Sequence, residues 1–336
     1  MLKAAIIGYG CIGPNHAGGI FDTEYGEIYA ICDNQKDRAD RGAEKYGCIA
    51  YYDIKDVLKD ENVDVVHICT PHYLHKDMAI AALAANKDVV LEKPLAMNRE
   101  ELEELMEAEK ASERKVCVMF QNRKNDAILK LKELVETEAY GKIVSNSGFM
   151  TWIRDGAYYK ADAWRGKWET EGGGVLINQS VHLLDMMRFV GGEIESVKAS
   201  IATRQWNDYI EVEDTADALF YYKNGMRGCF YATNAYGTTT PFQMVVECER
   251  GRLRYCDNYL MVIEGKEPPK VIDSNDFNAP GKACWGSGHA TVIHEFYKAL
   301  HEGTEQFLSF ESGIGTAKLL CAIYESAKND SQEIKL

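Results

Sequence analysis

Three polar side chains, Asn178, His182 and Asp185, interrupt an otherwise apolar helical pattern that follows three consecutive glycines. Side chains four residues apart on a helix share a face, and one placed three residues further on lies close to it. A histidine there can act as an acid or a base, because the imidazole pKa lies at about 6.5. A histidine held by a structural partner is also common, so this cluster alone leaves both interpretations open.

A second group of residues, near the N-terminus, has the spacing of a phosphate-binding turn. The apolar run at residues 4–7 leads into a G-x-G-x-x-G motif, and a predicted helix follows it, which is the setting of a dinucleotide-binding turn. Glycines there let the backbone approach a pyrophosphate, whose charge the helix N-terminus favours. The motif residues that we expect to contact a cofactor are Gly8, Gly10, Cys11, Ile12 and Gly13.

Asp33 ends the next predicted strand, at the position where an acidic residue binds the ribose of a dinucleotide. Its carboxylate can accept hydrogen bonds from both ribose hydroxyls and would repel a 2′-phosphate. The sequence therefore predicts NAD as the cofactor. Lys36 and Arg38 follow shortly afterwards and keep NADP open.

Further predicted strands alternate with helices through the first half, which is typical of a parallel sheet covered on both faces. In such a sheet ligands bind beyond the carboxyl ends of the strands. The residues expected at the cofactor from these strand ends are Thr70, Pro71, His72, His75, Glu92, Lys93 and Gln121. No acidic ligand accompanies the two histidines, so we favour a structural or cofactor-side role for them and expect no metal. The bond between Lys93 and Pro94 can be cis.

Composition narrows the class of protein. The chain has 336 residues and a formal net charge of −14, which argues against nucleic acid or an anionic membrane as a partner. It contains no apolar run of about 18 residues, and its ten cysteines form no C-x-x-C pair. We therefore expect a cytoplasmic protein with reduced thiols.

Taken together, these motifs resemble the glucose–fructose oxidoreductase/inositol dehydrogenase (Gfo/Idh/MocA) family. The resemblance rests on the glycine motif, Asp33, Glu92-Lys93-Pro94, Gln121-Asn122-Arg123 and the triple glycine followed by His182, in that order. It covers essentially the whole chain. It implies an NAD(P)-dependent oxidoreductase that moves a hydride between the nicotinamide and a secondary alcohol or ketone of a sugar, inositol, glycoside or nucleotide sugar.

The expected architecture has two domains, at residues 1–122 and 123–336. The first is a Rossmann-type, doubly wound parallel sheet. The second is an α+β domain, because a predicted helix leads into several strands, two of which are joined by an Asn224-Gly225 turn. Its sheet should be open and mostly antiparallel, and the family resemblance implies that an exposed face builds a homodimer or homotetramer.

Residues 151–168 depart from the acidic average and are rich in aromatic and basic side chains. Aromatic faces suit a sugar ring, and cations can hold a carboxylate or phosphate. A packed loop without a ligand is the alternative. We expect substrate contacts from Tyr158, Trp164 and Arg165 in this segment, and from Lys93, Arg123, Asn178 and His182 elsewhere.

The resemblance also implies a mechanism in which a lysine and a histidine converge on the reacting hydroxyl. Carried over, His182 is the proton acceptor and Lys93 polarises the oxygen. Many members have aspartate four residues before the histidine, whereas this chain has Asn178, and Asp185 is the candidate to replace it in part. Asn178 followed by Gln179, with a Trp-Arg-Gly segment before them, resembles a subgroup that includes nucleotide amino-sugar 3-dehydrogenases and some glycoside dehydrogenases.

Two other functions within the same fold remain open from the sequence. One is a glycosidase that oxidises its substrate transiently on tightly held NAD, eliminates the aglycone and then reduces the product. The other is a cofactor-sensing regulator, which has no need of Lys93 and His182.

Overall fold

The computed structural model describes residues 1–275 and 288–336 of the chain. Cys284, one of the ten cysteines of the sequence, lies outside them. The chain divides into two compact units. The first comprises Met1–Gln121 together with residues 288–314, and the second comprises residues 122–275 and 315–336.

A six-stranded parallel sheet forms the centre of the first unit, with the strand order β3-β2-β1-β4-β5-β6. The order reverses between β1 and β4, which is the switch point of a doubly wound fold. The strands are β1 Leu2–Ile7, β2 Gly26–Cys32, β3 Ile49–Tyr51, β4 Val65–Ile68, β5 Asp88–Leu91 and β6 Val116–Val118. The helices between them are α1 Gly13–Phe21, α2 Lys36–Tyr46, α3 Ile54–Lys59, α4 His75–Ala84 and α5 Arg99–Ala111.

These elements follow from local chemistry. β4 and β5 are buried along their whole length, as strands with helices on both faces must be. Helix α5 begins after Asn98, whose side chain accepts a hydrogen bond from the backbone N–H of Glu101 at 2.9 Å. The glutamates of α5 lie mainly on its solvated side, while Leu102 and Leu105 are buried. The predicted Rossmann-type sheet is confirmed.

One helix from the C-terminal part of the chain belongs to the first unit. It is followed in the chain by the segment around Leu308, whose carbonyl accepts the N–H of Val118 at the edge of β6. Helix α9, Gly288–Glu302, packs on α1, where a side chain on Gly19 would clash with Ile293. The sequence predicts that residues 123–336 form one domain, whereas residues 288–314 belong to the first unit. The apolar spacing of α9 indicates that the helix is packed, but it does not indicate which element the helix packs on.

The second unit contains a nine-stranded sheet with the order β14-β13-β12-β11-β7-β10-β9-β8-β15. Its pairs are antiparallel except for β7 with β10. The strands are β7 Ile143–Thr151, β8 Ile194–Ala202, β9 Thr215–Tyr222, β10 Arg227–Thr233, β11 Gln243–Cys248, β12 Gly251–Cys256, β13 Tyr259–Ile263, β14 Lys270–Ser274 and β15 Ile334–Lys335. The predicted open, mostly antiparallel sheet is confirmed, and Gly225 has the positive φ of 83° that its turn requires.

Helices cover one face of this sheet. They are α6 Asp126–Glu136, α8 Val181–Gly191 and α10 Phe310–Lys328, and the boundary between the two units falls inside α10. A short helix, α7 Gly156–Ala161, packs through Tyr159 in a smaller cluster with Ile210 and Val212. The core combines buried side chains of α6, α8 and α10 with the inward residues of the strands. On the other face Phe149 and Leu219 are 38% and 52% exposed. No helix among residues 1–275 and 288–336 is both long and apolar enough to cross a membrane.

Candidate active site

The glycine motif forms the turn between β1 and α1 in the first unit. Gly8 has a φ of 89°, and a Cβ there would lie 2.7 Å from the carbonyl oxygen of Cys69. A Cβ on Gly13 would lie 2.7 Å from the carbonyl oxygen of Gly8. Both glycines are therefore required by the turn itself. Cys11, at its tip, is exposed.

Gly10 is different, because a Cβ on it would meet only Arg38 Nη1, at 3.9 Å. The protein fold does not need glycine at this position, so the space beside its backbone is available to a ligand. Asp33 lies next to this turn and is 7% exposed. Its carboxylate accepts hydrogen bonds from the N–H of Tyr9 at 2.9 Å and of Gln35 at 2.8 Å. These bonds hold Asp33 in place and leave lone pairs for ribose hydroxyls.

The other predicted cofactor residues lie at the carboxyl edge of the same sheet. Thr70 and Pro71 follow β4, Glu92 and Lys93 follow β5, and Gln121 lies beyond β6. Oε1 of Gln121 is buried and has no hydrogen-bond partner among the residues that the structure describes. An acceptor of this kind suits an amide or hydroxyl donor of a bound molecule. The open space at Gly10 and this acceptor fit a dinucleotide.

We expect Asp33→Ala to weaken NAD binding and to reduce the preference for NAD over NADP. The change removes the carboxylate that would bind the ribose hydroxyls and repel a 2′-phosphate, and Arg38 is close enough to the turn to favour the added phosphate. Titration of the purified protein with each cofactor measures both effects. Asp37→Ala, an exposed acid on α2, is the matched control. If the ratio of the NAD and NADP affinities did not change, the assignment of Asp33 to the ribose site would be contradicted.

Glu92, immediately before Lys93, is the end of a buried hydrogen-bond chain. Its Oε1 lies 3.0 Å from Nε2 of His16, and Nδ1 of His16 lies 2.9 Å from Nδ1 of His67. Nε2 of His67 lies 2.9 Å from the hydroxyl of Tyr297. Burial opposes ionisation of Glu92, but the hydrogen bond from His16 and nearby positive charges, Lys93 included, lower its pKa to about 2.

Burial lowers the pKa of His67 well below its usual value, so its ring is neutral at neutral pH. The tautomers of His16 and His67 determine which atom donates in each of their hydrogen bonds. The lowered pKa of Glu92 keeps its carboxylate negative beside Lys93. A lysine next to such a buried anion is favoured in its ammonium form.

His72 and His75, both buried, flank this region. Nδ1 of His75 lies 2.8 Å from the carbonyl oxygen of Pro94, and its Nε2 lies 2.9 Å from that of Thr70. His75 therefore ties the loop after β4 to the residue that follows Lys93, which is a structural contribution. The peptide bond between Lys93 and Pro94 is cis. Among residues 1–275 and 288–336 no group of three His, Cys, Asp or Glu side chains could hold a metal ion.

In the second unit the triple glycine leads to the helix that carries His182. A Cβ on Gly174 would lie 1.9 Å from the carbonyl oxygen of Glu213, and the side chain of Glu213 accepts the N–H groups of Gly174 and Leu176. Only glycine fits so close an approach. Burial raises the pKa of Glu213 to about 7, although these hydrogen bonds act in the opposite direction.

The predicted single helix is two elements. Residues Val175–Gln179 form a π-helical turn, in which the N–H of Ser180 donates to the carbonyl of Val175 at 2.8 Å, and α8 begins at Val181. Asn178 lies in the π-helical turn and His182 in the first turn of α8. Both side chains are half-buried, whereas Val181 and Leu183 are buried.

Asp185 has other partners. Its carboxylate accepts hydrogen bonds from Nε of Arg123 at 2.8 Å, from Nη2 of Arg123 at 2.5 Å and from the hydroxyl of Thr316 at 2.6 Å. Asp185 and Arg123 are 1% and 4% exposed. The pair fastens α8 to the chain before α6 and to α10. Asp185 is thus occupied as a structural anion, and the prediction that Arg123 contacts substrate gains no support from this geometry.

We expect Arg123→Met to lower the free energy of unfolding by about 3–5 kcal/mol, because it leaves the buried Asp185 without its cation. The double change Arg123→Met/Asp185→Leu should be less destabilising than the single one, since no unpaired charge remains. Urea unfolding of the two variants beside the wild type makes the comparison. A double variant that is less stable than the single one would contradict the assignment of a structural ion pair.

The aromatic and basic segment does form a cluster in the second unit. The guanidinium of Arg165 lies 4.5 Å from the ring centres of both Tyr158 and Trp164, and it donates to the hydroxyl of Tyr158. Nε2 of Gln179 donates to the same hydroxyl at 2.9 Å. The structure therefore brings together the three predicted residues of this segment and links them to the π-helical turn.

Two residues of these arrangements are not predicted by the sequence. His16 and Glu171 are buried and hydrogen-bonded to assigned residues, yet neither was assigned a role. The signal for Glu171 was present in its position, directly before three glycines on the approach to a polar helix face. The only sequence signal for His16 is its position on the apolar side of α1. That position does not show which residues His16 contacts or what role it has.

A parallel sheet with this switch point, a glycine turn and an acidic residue after the second strand is typical of dinucleotide-binding domains. Residues 2–120 match the model described as the oxidoreductase family with an NAD-binding Rossmann fold. Residues 128–254 match the GFO/IDH/MocA C-terminal domain. The chain belongs to the Gfo/Idh/MocA family of NAD-binding oxidoreductases, which confirms the resemblance and the prediction of NAD and of an enzyme.

Similar proteins span most of the chain. It is 28% identical to a levoglucosan dehydrogenase of Pseudarthrobacter phenanthrenivorans over 331 residues, which cover 83% of this chain and 82% of that protein. It is 31% identical to a myo-inositol 2-dehydrogenase of Thermotoga maritima over 231 residues, 68% of this chain and 67% of the other. The WlbA dehydrogenase of Bordetella pertussis, solved with NADH and UDP-GlcNAcA, has a TM-score of 0.87 at 27% identity, covering 100% of this chain and 98% of that one.

Proposed function

We propose that this protein is an NAD-dependent dehydrogenase that oxidises a secondary alcohol of a cyclic polyol, sugar, glycoside or nucleotide sugar. One observation carries the proposal: Lys93 stands at the same carboxyl edge of the first sheet as the glycine turn and Asp33. A cation at the edge where the nicotinamide dinucleotide binds suits a developing alkoxide. The named activities of the similar dehydrogenases support this substrate class.

In the proposed reaction each of the site residues has a separate role. NAD, when bound, accepts the hydride. Lys93 donates a hydrogen bond to the substrate oxygen and stabilises negative charge on it, which the buried anion Glu92 supports by favouring the ammonium form. His182 accepts the hydroxyl proton. Tyr158, Trp164 and Arg165 provide the aromatic and cationic surface for the ring of the substrate.

A substrate screen tests the proposal. Purified protein is incubated with inositols, aldoses, glycosides and nucleotide sugars, each with NAD and with NADP, and the appearance of the reduced cofactor is followed by absorbance. We expect at least one of these classes to reduce NAD faster than NADP, and the His182→Ala variant to serve as the inactive control. Hydrolysis of a glycoside without reduced cofactor would instead indicate the glycosidase.

We also propose that the exposed face of the second sheet joins two or four copies of the chain. Phe149 and Leu219 lie on this face with 38% and 52% of their surface exposed. Apolar side chains on an open sheet are a frequent basis for association. Light scattering gives the mass in solution, and Leu219→Lys should shift it towards the monomer if this face is the interface.

A further inference from the structure

Glu213 is a buried carboxyl group that the proposed mechanism does not use. It lies just before β9, and 1% of its surface is exposed. Its Oε1 accepts three hydrogen bonds, from the N–H of Gly174 at 2.9 Å, the N–H of Leu176 at 3.0 Å and the hydroxyl of Tyr324 at 3.0 Å. Its Oε2 is also buried, yet it has no hydrogen-bond partner among the residues that the structure describes. The two oxygens of this group are therefore in different surroundings.

This difference between the oxygens suits a neutral carboxylic acid. The carbonyl oxygen of an acid accepts hydrogen bonds, while the other oxygen carries the proton. A carboxylate would instead place part of its charge on a buried oxygen that has no donor, and this costs more than a hydroxyl that lacks an acceptor. The three donors to Oε1 are neutral groups, and Glu213 belongs to none of the ion pairs in the described part of the chain.

The titratable groups around Glu213 leave it without a cation. From α10 it faces Tyr324, and burial raises the pKa of this phenol well above its usual value, with Glu213 and Glu171 acting in the same direction. Asp214, the next residue, accepts the N–H groups of residues 204–206. The π-helical turn contributes no titratable side chain. Burial raises the pKa of Glu213 from 4.5 to about 7, and the donors, which favour the charged form, do not outweigh it.

The N–H groups that Glu213 accepts lie at the beginning of the π-helical turn, Val175–Gln179. At the end of this turn, Nε2 of Gln179 donates to the hydroxyl of Tyr158 at 2.9 Å, and Oε1 of Gln179 accepts from Nδ2 of Asn234 at 2.8 Å. Glu213 thus anchors one end of a five-residue segment whose other end is bonded to the aromatic cluster.

We propose that Glu213 is a positioning residue that works as a neutral carboxylic acid and holds the π-helical turn, and through Gln179 the Tyr158 side of the substrate surface, in place. The inference rests on the proposed function for the role of that surface. When the proton leaves to solvent, the buried charge has no cation, and the carboxylate relieves this cost by turning towards water. The N–H groups at the start of the turn then lose their acceptor, so activity falls as the pH rises past neutrality.

Two variants separate the charge of Glu213 from its hydrogen bonds. In Glu213→Gln the amide oxygen can accept the same three donors, but the side chain has no proton to lose. Tyr324→Phe removes one donor that favours the charged form, so it should raise the pKa of Glu213 further. Glu211→Gln, at an exposed glutamate two residues before Glu213, is the matched control.

Infrared spectroscopy of the substrate-free protein measures the proton directly, because the carbonyl stretch of a carboxylic acid is separate from that of a carboxylate. At about pH 6 we expect a buried-acid band in the wild type and in Glu211→Gln that is missing in Glu213→Gln. The band should disappear with a midpoint near pH 7, and this midpoint should lie about half a unit to one unit higher in Tyr324→Phe. A wild type without this band overturns the inference.

The stability of the fold should depend on pH in the matching direction. Because the pKa of Glu213 is raised from 4.5 to about 7, the folded protein binds more protons than the unfolded chain between these values. The contribution of Glu213 to stability is complete below the lower value and is lost as the pH rises through the upper one. The urea midpoint of the wild type should therefore fall relative to that of Glu213→Gln across this range.

Activity shows whether this proton matters for the reaction. The ratio of kcat in Glu213→Gln to kcat in the wild type should rise about tenfold between about pH 6 and about pH 8, because Glu213 is about nine-tenths ionised at the higher pH. Lys93 and His182 are present in both proteins, so their own titrations cancel in the ratio. A merely structural role predicts a lower stability at every pH and a constant ratio, and that result overturns the inference.

If Glu213→Gln does not fold, Tyr324→Phe decides through the infrared midpoint, since a midpoint equal to or below that of the wild type contradicts the inference. The infrared and unfolding measurements need no substrate. Their failure is therefore distinguishable from failure of the proposed function, which the substrate screen detects through the absence of reduced cofactor.

Discussion

His182→Ala is expected to reduce kcat by about 100- to 10,000-fold while the affinity for NAD stays near that of the wild type. The imidazole is the proposed proton acceptor, and without it the hydroxyl proton must go to water. His182 lies on α8 in the second unit, and its half-buried side chain stands between the buried Val181 and Leu183. The helix packs through those neighbours, so truncation at His182 should leave the fold in place.

The measurement compares NADH formation by wild type and variant on the best substrate of the screen, with NAD binding followed separately. His301→Ala, an exposed histidine of α9, is the control for loss of an imidazole as such. If the role of His182 were structural, the alanine variant would be less stable than the wild type but would keep its activity per folded molecule. Undiminished kcat in the folded variant would therefore exclude His182 as the base.

Lys93→Ala should have an effect of similar size for a different reason. The ammonium group is placed to stabilise negative charge on the substrate oxygen, and removing one such donor costs about 100- to 1,000-fold in kcat. The pKa of Glu92 at about 2 means that a negative charge remains beside the truncated side chain, which further disfavours an alkoxide there. NAD affinity should change little.

Lys110→Ala on the exposed side of α5 is the matched control. Lys93→Arg separates charge from geometry, because a guanidinium retains the charge but not the compact donor, and it should recover only part of the activity. Wild-type turnover in Lys93→Ala would contradict the assignment of the lysine, even if His182→Ala behaved as expected.

The features that sequence predicts well are local. The glycine turn, Asp33 and the buried strands β4 and β5 each depend on a few neighbouring residues whose types admit one structure. The carboxyl edge that groups Lys93 with the turn follows from the parallel order of the strands. Those features could be predicted, and the family models and the structure confirm the fold.

The features that sequence did not predict depend on partners far along the chain or on a broken helix. Arg123 and Asp185 are 62 residues apart, and their spacing carries no sign of the ion pair. Helix α9 has an apolar pattern that suits either unit, and its packing on α1 decides between them. The π-helical turn at Val175–Gln179 depends on the close approach of Gly174 to Glu213, which no local pattern indicates.

The residues of the candidate site also differ in whether a local motif or a distant partner reveals them. Lys93 and His182 were assigned through motifs, while Glu171 and His16 are evident only when their hydrogen bonds are seen. Glu171 is a buried acid, and its position directly before the glycines at 172–174 is the one signal that the sequence carries for it. Asn178 stands where many family members have aspartate, and the structure shows that its Nδ2 donates to Oε1 of Glu171 at 2.6 Å.

The most direct test of the central claim is the stoichiometry of the reaction on the best substrate. Wild-type protein is given excess NAD, and NADH and the oxidised product are quantified in the same sample by absorbance and mass spectrometry. A dehydrogenase that uses Lys93 and His182 forms NADH and a ketone in equal amounts, and both vanish together in His182→Ala. Product formed without a matching amount of NADH, or by hydrolysis of a glycosidic bond, would contradict the claim.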